Sequence, residues 1–283
     1  MTDRQISPRG GRKVILGLIA SQRRLGNCEL FAKEVSIRCP VEHELQLIRL
    51  PSLDIKSCLG CYRCLAEGTC PLNDDLAFLQ EKIAAADALI VAAPVYFLGA
   101  HASLKAVLDR GFSFYRILEN THRKPTILAS TYGISERMGV APQMMRAFAS
   151  FLCLDVRADV RLEAALPGEV LTKEKNASAA LRASQALFGE KRIPSRGGCP
   201  FCHNDIWRRK GNGFVCTLCH GTFSLDGRGT PKPGKAGWGV GKPEFVTAHR
   251  EWLKGMKDKF LTRRKDALRL TLQYKDVGEW LEP

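Results

Sequence analysis

Eight of the eleven cysteines stand in two groups of four, Cys58, Cys61, Cys64 and Cys70, and then Cys199, Cys202, Cys216 and Cys219, while Cys28, Cys39 and Cys153 stand alone. In a chain of 283 residues without a secretory pattern, such tight C-x-x-C spacing points to metal or redox chemistry before disulfides. The first group, Cys58-x-x-Cys61-x-x-Cys64-x5-Cys70-Pro71, is compact, with Gly60 and Gly68 giving the backbone room to turn. Successive C-x-x-C steps closed by a more distant thiolate, with Cys-Pro at the exit, suit an iron-sulfur cluster. Zinc, a redox-active thiol pair and a metal-free loop remain open alternatives. The second group, Cys199-Pro-Phe-Cys202 and Cys216-Thr-Leu-Cys219 separated by thirteen residues, is the paired-knuckle pattern of a zinc ribbon. Trp207 and Phe214 would cover it, and the metal would supply folding energy that so short a segment cannot obtain from burial. Four thiolates leave no open position, so a structural ion is expected, with a rubredoxin-like iron site as the alternative. His203 and His220 flank the ligands and are read as neighbours.

The second chemically suggestive segment is Ser21-Gln22-Arg23-Arg24-Leu25-Gly26-Asn27-Cys28, between an apolar run and a helical stretch. A loop entering a helix N-terminus presents unpaired N–H groups and the positive end of the dipole, which suits a phosphate. Ser21 adds a hydroxyl, Arg23 or Arg24 a charge, and Gly26 a close backbone approach. The loop is neither a G-x-G-x-x-G fingerprint nor a P-loop, so a monophosphate is the expected anion.

These elements are positioned by an alternation of short apolar runs and longer amphipathic stretches over the first 193 residues, the pattern of βαβ units. Strands are expected at 14–20, 45–50, 88–93, 126–131 and 155–162, with helices near 28–38, 74–86, 101–110, 141–152 and 172–190. The fold class is α/β, a doubly wound parallel sheet. Asn73-Asp74-Asp75 supplies cap residues and negative charge for the second helix. The breaker-rich segment 194–198 marks a domain boundary, giving a first domain over 1–193 and a ribbon over 194–225. A Gly/Pro-rich connector and a basic amphipathic helix starting near Glu244 would fill 226–283.

Ser21, Arg23, Gly26 and Asn27 resemble the G-S-x-R-x-x-G-N loop of the NADPH-dependent FMN reductase branch of the flavodoxin-like superfamily, although Ala20, Gln22 and Cys28 differ from its usual glycine, proline and hydroxyl residue. Pro94-Val95-Tyr96-Phe97 with Leu104-Lys105 and Asp109-Arg110 is similar to the family's P-V-Y-[FW] and L-K-x-x-x-D-R pair. Pro167 to Val170 resembles its closing segment. The resemblance covers about residues 12–192 and implies a five-stranded sheet of order 2-1-3-4-5. FMN would lie at the carboxyl ends of the first and third strands, against Ser21, Arg23, Gly26, Asn27, Cys28, Pro94, Val95, Tyr96, Phe97, Tyr132 and Gly133. Combined with the first cysteine group, it resembles the iron-sulfur flavoproteins, which implies a 4Fe-4S cluster and a homodimer or higher oligomer.

The expected activity is an FMN oxidoreductase passing electrons between flavin and cluster, with NAD(P)H or reduced ferredoxin as donor and a ferredoxin or quinone-like acceptor. A redox-responsive binding protein using the ribbon for contact, or a quinone or nitro reductase without a cluster, would replace it. No general acid or base stands out; His101 is read as a packing contact.

Composition bounds the remaining classes. Hydrophobic residues make up 45% and charged residues 25%, a globular balance. No apolar run approaches the roughly 20 residues of a membrane span, and the basic N-terminus precedes only seven apolar residues, so cytoplasmic residence is expected. Residues 194–283 carry +8 of the net +14. That favours anionic partners, yet no base-reading constellation accompanies Trp207-Arg208-Arg209-Lys210 or Arg263-Arg264-Lys265, and nucleic acid is not the expected partner.

Overall fold

The computed structural model describes residues 12–190, 193, 198–239, 241–275 and 277. The breaker segment 194–197 lies outside them.

Five parallel strands form the main sheet: β1 (Lys13–Ile19), β2 (His43–Arg49), β3 (Ala88–Tyr96), β5 (Pro125–Tyr132) and β6 (Asp155–Glu163). They run in the order β2-β1-β3-β5-β6, and the two-residue β4 (Gly99–Ala100) folds back on the end of β3. The central strands are buried on both faces, hence their unbroken apolar runs, as in Ala-Leu-Ile-Val-Ala-Ala of β3. The edge strand β6 instead alternates buried and half-buried residues along Asp-Val-Arg-Ala-Asp-Val-Arg-Leu-Glu.

One face is covered by α1 (Asn27–Ile37) and α8 (Glu174–Phe188), where Phe31, Ala32 and Val35 meet Ala180, Ala183 and Leu187. The other is covered by α3 (Leu76–Ala85), α4 (Ala102–Asp109), a 3-10 segment over Gly111–Ile117 and α6 (Ala141–Phe151), with Leu79, Ile83, Leu104, Phe114 and Phe148 at its centre. The short helices α2 (Arg63–Glu67), α5 (Leu118–Thr121) and α7 (Glu169–Thr172) lie in connections and have no counterpart in the apolar periodicity.

The expected irregular connector is partly a strand. After β7 (Trp207–Lys210), β8 (Gly213–Cys216) and β9 (Thr222–Leu225), β10 (Pro231–Pro233) pairs antiparallel with β9 at the edge of a second sheet, ordered β10-β9-β8-β7. Proline is tolerated there because one side of an edge strand needs no ladder donor. The chain then crosses the second knuckle: Trp238 N–H donates to the Cys219 carbonyl at 2.8 Å, and a Cβ on Gly237 would lie 2.0 Å from that same oxygen, so only glycine fits.

Helix α9 (Pro243–Leu272) runs 30 residues and is mostly exposed beyond its first two turns. No helix among the described residues is long and apolar enough to cross a membrane. The ribbon is tied to the first domain by Arg146, which donates to the Cys202 carbonyl at 3.1 Å, by Gln143 on Thr217 at 2.9 Å, and by an Arg161–Asp205 ion pair.

Candidate functional site

A pocket opens at the carboxyl ends of β1, β3 and β5. Ser21, Arg23, Asn27, Cys28, Pro94, Val95, Tyr96, Tyr132 and Gly133 line it, joined by Thr131, Ala164 and Ala165, which sequence reasoning did not single out. Nine of the eleven expected residues are therefore brought together. Gly26 and Phe97 are not among the lining residues. Gly26 serves the backbone: it closes the turn with its N–H on the Arg23 carbonyl at 3.3 Å, and a Cβ there would sit 2.9 Å from that of Arg23. Phe97 and Leu98, at φ 47° and 67°, form the tight turn into β4, which leaves the Phe97 ring wholly in solvent. His101 caps α4 through Nδ1, accepting the Ser103 N–H at 3.1 Å, and its ring packs edge-on to Tyr96.

The Asn27 side chain faces away from anion binding. It donates to the Ala164 and Leu166 carbonyls at 3.1 and 3.0 Å and accepts from Val170 N–H at 3.3 Å, holding the 164–170 loop over the pocket. Glu169 fastens that loop from within by accepting from Ala165 and Leu166 N–H. Cys28 is buried, its sulfur 3.3 Å from Thr131 Oγ1, and burial pushes its thiol up to about 11, so it is neutral at pH 7.

The four sulfurs of the first cysteine group face a second pocket, walled by Leu59, Tyr62, Leu72, Phe112 and Arg110. This pocket shares no lining residue with the first. Among the described residues, the one group of three or more potential metal ligands with all ligand atoms within 4.8 Å of one another is Cys199, Cys202, Cys216 and Cys219. The sulfurs of Cys58, Cys61, Cys64 and Cys70 are set wider than a single ion would hold them. Arg110, buried, donates to Cys70 Sγ at 3.1 Å and pairs with Asp74 at 2.5 Å. Burial would raise the Asp74 carboxyl, but Arg110 and the N–H groups of Leu76 and Lys56 outweigh it and hold the carboxyl below its ordinary range. Both side chains are 1% exposed, so Arg110→Ala leaves a buried carboxylate without its cation. The expected loss is about 3–5 kcal/mol of unfolding free energy, read by urea titration, with the cysteine loop loosened alongside.

In the ribbon, Cys199 and Cys219 lie 3.6 Å apart, as do Cys202 and Cys216. Metal–sulfur bonds of about 2.3 Å around one tetrahedral ion give sulfur–sulfur edges of about 3.8 Å. The thiols perturb one another accordingly: hydrogen bonding with Cys202 foremost pulls Cys199 down to about 6, Cys216 also falls, and Cys202 and Cys219 rise. His203 and His220 both adopt φ 59° and turn the two knuckles, each donating its N–H to the carbonyl of a cysteine four residues earlier. Asn204, fully buried, places its amide 3.6 Å from Cys216 Sγ, a supporting contact that no spacing rule reveals.

The model of the NADPH-dependent FMN reductase family matches residues 14–164, more than half of the chain. The chain belongs to that family. It is 36% identical over 97 residues to an iron-sulfur flavoprotein of Methanocaldococcus jannaschii, covering 34% of this chain and 50% of that protein. It is 33% identical over 99 residues to an iron-sulfur flavoprotein of Archaeoglobus fulgidus, covering 34% and 44%. The chain thus matches about half the length of these curated relatives. Among solved structures, a flavone reductase superposes with a TM-score of 0.69 at 16% identity, over 95% of this chain and 100% of that one, which shows a shared fold extending past the reductase domain.

Two reductase-domain residues that sequence reasoning missed set the shape of the first loop. Arg49, at the end of β2, donates Nη1 to the carbonyls of both Ser21 and Arg23 at 2.9 Å, and Nη2 to Glu29 at 2.8 Å. Glu29 also accepts from Leu25 N–H and Lys33. Burial alone would raise the Glu29 carboxyl; the Lys33, Arg49 and Leu25 donors bring it down to about 2. Because the folded value lies below the ordinary 4.5, its stabilisation is fully present above about pH 4.5 and is lost as pH falls toward 2. Glu29→Gln removes the charge holding Arg49, so FMN affinity at pH 7 should fall about tenfold, equivalent to one charge-assisted hydrogen bond, as measured by flavin fluorescence titration. The variant should also lose the part of the acid-limb destabilisation that Glu29 contributes.

Proposed function

We propose that this chain is an FMN-dependent oxidoreductase that passes electrons between FMN and a 4Fe-4S cluster, drawing on NAD(P)H or reduced ferredoxin, and that its ribbon holds a structural zinc ion. The observation that carries this reading is the convergence of Ser21, Arg23, Tyr96 and Tyr132 on one pocket at the carboxyl ends of the central strands. Bound there, FMN would supply both two-electron and one-electron chemistry.

The residues present fit such a group. Arg49 holds the Ser21 and Arg23 carbonyls from outside the pocket, and the N–H groups of Arg23, Leu25 and Gly26 are taken by Ser21 Oγ, Glu29 and the Arg23 carbonyl, so the first turn of α1 would receive the phosphate. Arg23 supplies charge, and Cys28 presents a neutral S–H beside Thr131 in the place of a hydroxyl. Val95 and Tyr96 would wall a flat ring, joined by Tyr132 and Gly133 from the next strand, with the 164–170 loop as cover.

The wide setting of Cys58, Cys61, Cys64 and Cys70 suits a polynuclear cluster, whose metal atoms hold their thiolates further apart than one ion does. Arg110 would orient Cys70 and offset the negative charge of four thiolates. Electron exchange between the two pockets, which share no lining residue, would run within one chain or across an interface with a second copy. Anaerobic mixing of the holoprotein with NADH, NADPH or reduced ferredoxin tests the reading. Bleaching of the flavin absorbance by at least one of them is expected, and failure of all three would overturn it.

A further inference from the structure

A third cavity, of about 320 Å³, lies where α9 and the ribbon meet the first domain. Several rings line it, Phe112 from the 3-10 segment, Phe151 from α6, and Phe245 and His249 from α9, with Leu218 of the second knuckle as an aliphatic cap. Such a volume is at the lower end of small-molecule clefts, roughly 300–1,000 Å³. One polar pair interrupts the apolar lining, Tyr115 Oη with His249 Nδ1 at 3.2 Å. No lysine or arginine is among the described lining residues, and the carboxylate of Asp109 at the wall is paired with Lys105, so the lining favours an uncharged ligand.

The α9 rings stack on one another, which leaves their edges rather than their faces to the cavity. Phe112 and His249 lie with centroids 5.8 Å apart, and His249 is sandwiched in a parallel run between Phe245 at 6.0 Å and Trp252 at 5.7 Å. Ring edges, the positive rim of the quadrupole, favour the face of another flat π system by edge contact. Burial pushes the Tyr115 hydroxyl up to about 12, which keeps it protonated and able to both donate and accept.

We infer that this cavity is a binding site for an uncharged, flat aromatic molecule of about two fused rings carrying one hydroxyl or carbonyl oxygen, which the Tyr115–His249 pair anchors. It is distinct from the flavin pocket, with which it shares no lining residue, and it abuts the cysteine pocket through Phe112 and Asp109. Its occupant bridges the reductase domain, the ribbon and α9.

Equilibrium dialysis of the full-length, FMN-saturated protein against 2-naphthol tests it, and saturating the flavin site beforehand separates this site from that one. Saturable binding of one naphthol per chain is expected. Ala147→Trp, which fills the cavity from α6, should abolish binding while leaving flavin content unchanged. Tyr115→Phe should weaken 2-naphthol about fivefold, the loss of one hydrogen bond, and leave naphthalene binding unchanged. No saturable binding, or equal binding of 2-naphthol by wild type and either variant, would overturn the assignment.

Discussion

Cys216→Ser should strip the ribbon of its ion and unfold residues 198–239 while the reductase domain stays folded. The ribbon's own core is very small: Cys199, Cys216, Cys219 and Phe223 are buried, with Trp207, Phe214 and Leu218 packed against them. Its strands are three or four residues long, and a segment of this size is too small to fold on apolar burial alone. A structural tetrathiolate ion contributes about 10–16 kcal/mol in such modules, so losing one ligand removes more stability than the rest of the ribbon supplies. Zinc content should fall from about one per chain to near zero. Hydrogen exchange at Phe214 and Phe223 should become rapid while β1, β3 and β5 keep their protection. Continued slow exchange in the ribbon of the variant would mean that side-chain packing holds it.

Cys61→Ala should abolish iron and acid-labile sulfide yet leave FMN stoichiometry unchanged. The first half follows from the ligand set, because one missing thiolate leaves a corner of the cluster open to solvent in an already exposed loop: Cys58 and Cys61 are exposed and Cys64 and Cys70 half-buried. The second half follows from the absence of any shared lining residue between the cysteine and flavin pockets. Cys39→Ala, in the turn before β2 and outside both pockets, is the control and should retain both groups. Iron and sulfide surviving in the Cys61 variant would remove it from the ligand set; loss of FMN would show that the loop also shapes the flavin pocket.

Much of this architecture is legible in one dimension. β1 and β3 are buried on both faces, so each reads as a near-continuous apolar run, β5 interrupts its own with Thr126, Ser130 and Thr131, and the helices between them betray themselves by one apolar stripe. The loop from Ser21 to Cys28 is legible as a strand entering a helix N-terminus, and the Pro94–Tyr96 segment through its resemblance to the family's P-V-Y-[FW] motif. What escaped was held together across long sequence separations. Arg49 braces a loop 26 to 28 residues away, and the Arg110–Asp74 pair spans 36; no local pattern distinguishes Arg49 from a solvated arginine, and although Arg110 stands in the Asp109-Arg110 motif and Asp74 at a helix cap, nothing local pairs them. The Asn27 side chain was expected at the anion, but the 164–170 loop, more than 130 residues distant, captures it. Phe97 was expected at the ring site through the resemblance of Pro94-Val95-Tyr96-Phe97 to the family's motif, and the left-handed turn that aims it at solvent is set by pairing with β4. Prolines in 226–243 masked β10, since an edge strand can accept them.

The central claim is that one chain holds FMN in the strand-end pocket and an iron-sulfur cluster in the cysteine pocket. Anaerobic purification followed by analysis of flavin, iron and acid-labile sulfide tests it directly. About one FMN, about four iron and about four sulfide per chain are predicted; protein that binds no flavin on titration and carries no sulfide would contradict it.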